Sequence, residues 1–204
     1  MVLTRMKTAT FVRVLATGAL AFWALERAGA ADRAGFTVDQ VLLEPNSPFL
    51  TIRAHGGMTS EARSYILRGD GQLTILSTSN ASATPQLVYT EHLSDEEVGA
   101  AVEAILSATL YEYDHDQVRA KHRTEPHPGS SIDDAGSLEV EINLPLYPGS
   151  NPSGADELSH VFGVNVSDMA EGHFPSISEY SALRQIFGSF RRAEKRARSS
   201  AAVR

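Results

Sequence analysis

The chain of 204 residues contains no cysteine. That absence excludes disulfides, thiolate nucleophiles, thiolate metal ligands and any lipid carried on cysteine. Stability must then come from the core. The residues after position 30 are enough for one, since a chain of ~150 residues already hides about 70% of its unfolded surface. Apolar runs are also short: none reaches the ~20 residues needed to cross a bilayer. Basic charge is the minority sign, with 18 Lys and Arg against 25 Asp and Glu and a formal net charge of −7. A basic stripe able to neutralise phosphates is missing from the body of the chain, which argues against nucleic acid as a ligand. Several catalytic signatures are absent as well: no G-x-S-x-G elbow, no S-x-x-K segment and no phosphate-cradling glycine loop. No internal repeat is visible.

What is present begins with an address. Arg5, Lys7 and Arg13 give a basic start, residues 14–25 are apolar apart from Thr17 and Gly18, and Ala28-Gly29-Ala30 offers the small residues of a cleavage site. Residues 1–30 are therefore read as a cleavable signal peptide, and the protein as exported, periplasmic or secreted. With its four basic residues set aside, the remainder is more acidic than the whole. Residues 31–48, poor in periodic pattern and carrying Pro45 and Pro48, are read as a linker. Residues 191–204 form a basic tail in which Arg191, Arg192, Lys195, Arg196, Arg198 and Arg204 face only Glu194. Cations at a helix C-terminus explain such a tail, with weak contact to an anionic surface as the functional reading.

Between them, residues 49–190 alternate like a sheet protein. Strand patterns occupy residues 49–55, 64–68, 72–77, 86–92, 138–144 and 160–166. Gly69-Asp70-Gly71 between the second and third predicts a tight hairpin turn, since Gly71 can take a positive φ. Arg68-Gly69-Asp70 is an adhesion-type tripeptide, read here as turn chemistry. His55-Gly56-Gly57 is read as a strand ending in a turn. Ser94-Asp95-Glu96-Glu97 is a capping box with Leu93 and Val98 as its hydrophobic staple, followed by an apolar face of Val98, Ala101, Val102, Ile105 and Leu106. A second box, Ser176-Ile177-Ser178-Glu179, opens a helix bearing Ile177, Tyr180, Leu183, Ile186, Phe187 and Phe190 on one side. The order of elements predicts an α+β single domain, a mainly antiparallel sheet of five to six strands covered by two helices.

The richest polar constellation falls between residues 113 and 137, read as a mobile surface loop. Asp114, His115, Asp116, His122 and His127 could supply imidazole and carboxylate to a divalent metal, the one cofactor the sequence suggests. Their spacing lacks the helical H-E-x-x-H arrangement. A solvated polar loop is the competing reading of the same residues. No catalytic residue is assigned.

Arg53-Ala54-His55-Gly56-Gly57, Leu93-Ser94-Asp95-Glu96-Glu97, Ala108-Thr109-Leu110-Tyr111 and Pro175 before the closing helix give a resemblance over residues 49–190. The pattern resembles small exported bacterial domains of unknown function and, more distantly, emfourin-type inhibitors of thermolysin-like metalloproteases. The resemblance implies an inhibitory function but assigns no inhibitory residue, and the histidine-bearing segment and basic tail depart from it. The expectation is an exported, non-catalytic binding domain of the bacterial envelope whose partner is an unknown protein or envelope component. Metalloprotease inhibition and metal-assisted hydrolysis by residues 114–127 are the alternatives.

Overall fold

Leu138, Val140, Ile142 and Leu144 alternate with Glu139, Glu141 and Asn143, and that period of two builds a strand with one buried and one open face. The computed structural model describes residues 35–56, 61–79, 82–124, 136–151, 154–169 and 174–202. Six strands form in it: β1 Pro48–His55, β2 Glu61–Arg68, β3 Gln72–Ser79, β4 Ser82–His92, β5 Ser137–Pro145 and β6 Glu157–Asn165. They make one sheet in the order β4-β3-β2-β1-β5-β6, with every pairing antiparallel. Three helices complete the α+β fold: α1 Asp95–Ser107, α2 His115–Thr124 and α3 Ser178–Ala201.

The helices and the apolar side of the sheet share one core. Leu50, Ile52, Leu67, Ile75, Val140, Ile142, Ile105, Leu183 and Phe190 are all fully buried in it, each contributing ~1.5–3 kcal/mol of transfer free energy. The Ser94 box forms as its sequence demands: Ser94 Oγ accepts from the Glu97 N–H at 3.2 Å, and Glu97 Oε2 accepts from the Ser94 N–H at 3.0 Å. The other box does not close the same way. The helix starts later than the box implies: its N-cap is Ile177, an aliphatic residue that offers no side-chain cap bond, and Glu179 pairs with Lys121 of α2.

Three stretches differ from their sequence reading. Residues 36–48 join the domain: Leu42 N–H donates to Pro145 O at 2.8 Å, Val41 bridges to Leu146, and Asp70 N–H reaches Pro45 O at 3.0 Å. Residues 115–124 are helix α2, whose one buried side chain is Val118. Residues 191–201 continue α3, with Ala193, Glu194 and Ala197 buried. The β2–β3 hairpin does turn at Gly69-Asp70-Gly71, as the sequence predicts. Gly71 alone has positive φ, +83°, and its N–H donates to Arg68 O at 3.0 Å, a three-residue loop ending in a left-handed glycine.

Candidate functional site

Alternation gives the sheet a second face, and among the described residues no helix packs on it. Thr51, Arg53, Ser64, Ile66, Thr74, Glu141, Asn143, Ser159 and Val161 stand there half-exposed or exposed. The register places Arg53 of β1 opposite Glu139 of β5, with Glu141 two residues along. The Arg53 guanidinium bonds both, through Nη1 to Glu139 Oε1 and through Nη2 to Glu141 Oε2 at 3.0 Å. Partial burial opposes the charge, but the two carboxylates outweigh it and raise the Arg53 pKa further. Asn143 Nδ2 then donates to Glu141 Oε1 at 3.4 Å, and Ser159 Oγ donates to Asn143 Oδ1 at 2.8 Å. One polar ladder thus runs across β1, β5 and β6. Glu139 and Glu141 look like ordinary solvent-facing residues in sequence; only the register reveals Arg53 between them.

At the edge of the sheet lies a cleft of about 510 Å³, lined by His55, His115, Glu139, Asp168, Tyr180 and the 161–165 stretch of β6. Behind it, Tyr113 stacks on Phe162 with centroids 4.2 Å apart. Burial pushes the Tyr113 phenol up to about 12 and raises that of Tyr180 as well. His160 Nε2 lies 2.9 Å from Tyr113 O. Both phenols therefore stay protonated at neutral pH and offer hydrogen bonds, not nucleophiles.

The metal-type residues are spread along α2. Asp114 caps the helix, accepting from the N–H groups of Gln117 at 3.2 Å and Asp116 at 2.8 Å, and these bonds hold its carboxyl below the usual range. His115 borders the cleft and Asp116 is exposed. Two turns on, His122 lies flat on Phe174 at 3.8 Å. His127 lies outside the described residues. Among the described residues no three of His, Asp and Glu gather in ligating geometry.

A buried ion cluster, by contrast, has no sequence signature. Glu194 of α3, with its side chain 7% exposed, is bonded by Arg63 of β2, by Tyr65 Oη at 2.8 Å and by Arg198 at 3.1 Å. Arg196 reaches Glu91 of β4 and Glu97 of α1. Arg196 of the basic tail therefore ties α3 to β4 and α1, while Arg198 pairs within α3 itself.

No protein-family profile matches the chain, and no curated protein matches it. The class rests on the fold alone: an α+β domain whose antiparallel sheet is covered on one face.

Proposed function

We propose that the chain is an exported, non-catalytic binding domain that engages a protein or an envelope component through the bare face of its sheet. The observation that carries this reading is the face itself, six strands wide and without a covering helix among the described residues. Three of its charged side chains already bond one another, Arg53 to Glu139 and Glu141, so they present a fixed pattern rather than a reactive group. Such preorganised polar side chains around scattered apolar ones, here Ile66 and Val161, favour recognition at low ordering cost. Export rests on the composition of residues 1–30, which lie outside the described residues.

The test is a pull-down from envelope extracts with the full chain, compared with its Arg53→Ala variant and with thermal melts of both. The expected result is a species retained by the native protein and lost with the variant at similar thermal stability. Equal retention by both proteins, or retention of nothing by either, overturns the reading.

A further inference from the structure

Strand β6 ends the sheet, and one of its two backbone edges has no partner strand among the described residues. Two hydrogen bonds fix which of its backbone groups face β5: Leu146 N–H donates to Asp156 O at 2.8 Å, and Val166 N–H donates to Gly136 O at 3.0 Å. The β5–β6 register runs between them without a shift, from Ser137↔Asn165 to Pro145↔Glu157. In an antiparallel ladder, residues that exchange bonds alternate with residues that do not. Leu158, His160, Phe162 and Val164 therefore bond β5. Glu157, Ser159, Val161, Gly163 and Asn165 turn both N–H and C=O away from it. Beyond them the sheet has no further strand among the described residues.

This outward set is symmetric about Val161. Laid antiparallel against its own copy, the strand pairs Val161 with Val161, Ser159 with Gly163 and Glu157 with Asn165. Each pair is of the bond-exchanging type, so the whole outward row is satisfied. No like charges meet: the ends join a carboxylate to an amide, and the centre joins two valines. Val161 is 57% exposed, so its side chain gains a neighbour. Exposed edges are normally blunted by Lys, Pro or bulges. The β4 edge follows that rule, with Pro85 and two register shifts, whereas β6 has none of these devices.

We propose that β6 is a self-association site, on which a second copy of the chain adds its β6 across a twofold axis at Val161 to make one continuous sheet. The missing cysteines make the test clean. In the full chain, Val161→Cys introduces the sole thiol, opposite its own copy at a Cα separation of ~5.5 Å, within disulfide range. Mild oxidation is expected to give a covalent dimer. Ser159→Cys alone is expected to stay uncrosslinked, its copy being displaced by four residues or ~13 Å along the strand. Mixed with Gly163→Cys it is expected to crosslink.

Sedimentation of the native chain is expected to show a dimer, and Val161→Lys to raise its dissociation constant at least ~10-fold. Val161→Pro is expected to do the same, since the N–H it removes is not used by β5. Circular dichroism on both variants separates lost pairing from lost folding, and the lysine variant leaves every backbone bond intact. Three results each overturn the proposal: a native chain that stays monomeric, a Val161→Cys protein that crosslinks no better than Leu87→Cys on the β4 edge, or a dimer indifferent to both Val161 variants.

Discussion

At Gly71 the backbone holds φ at +83°, and an added Cβ would stand 2.7 Å from the carbonyl oxygen of Leu93. That carbonyl cannot simply withdraw, because the Leu93 N–H is bonded to Gly71 O at 2.9 Å. Gly71→Ala therefore meets both backbone strain and a fixed obstacle, and is expected to cost more than ~1 kcal/mol. The opposite case lies at the end of α1. Thr109, a β-branched residue, sits at φ 50°, a conformation that suits glycine. Thr109→Gly is expected to stabilise by up to ~1 kcal/mol, so the two changes should move the urea midpoint in opposite directions. A Gly71→Ala midpoint equal to the native one would mean that the hairpin does not need its left-handed residue.

Between elements, Lys121 of α2 and Glu179 of α3 form the ion pair that joins the two helices. Burial alone would raise the Glu179 pKa, but the bond from Lys121 overcomes it and the carboxyl sits below its usual range. A carboxyl depressed in the folded state binds its proton more readily when unfolded. Its stabilisation is thus present above the unfolded pKa of about 4.3 and fades as pH falls through the folded value. Thermal melts between about pH 5 and pH 3 should fall more steeply for the native protein than for Glu179→Gln; parallel curves would show that the pair contributes nothing to the acid response. Sequence showed the six strands and α1 because their apolar residues repeat at periods of two and 3.6. It missed α2 for the same reason: a helix that buries only Val118 leaves no apolar stripe to find. The Glu194 cluster escaped because its partners lie 129 and 131 residues away in sequence, and charge alone does not reveal pairing. The Asp114–His122 candidates looked like a ligand set only while the segment was taken for a loop. As a helix, it sets Asp114 on its cap and His122 against Phe174.

For the molecule as a whole, the consequential change is the status of the last turns of the chain. As a basic tail, residues 191–204 would be dispensable; as the second half of α3, part of that segment closes the apolar side of the sheet. Ala193 is fully buried and Ala197 nearly so, and Glu194 is held by Arg63 and Tyr65 from β2. A chain ended after Phe190 would leave the Arg63 guanidinium and the Tyr65 hydroxyl without their carboxylate, and would uncover the side of the sheet that α3 shields. Removing one member of a buried pair typically costs ~3–5 kcal/mol. Arg63 keeps some access to water, with its side chain 29% exposed, so a loss of ~2–3 kcal/mol is expected. In a domain of this size that is a fall of roughly 5–10 °C in the melting midpoint. A chain ended after Ala201 keeps every one of these contacts and should melt with the native protein. The pair of truncations separates the two views of the segment: a free tail predicts no difference between them, whereas a structural helix predicts that the shorter chain alone is destabilised.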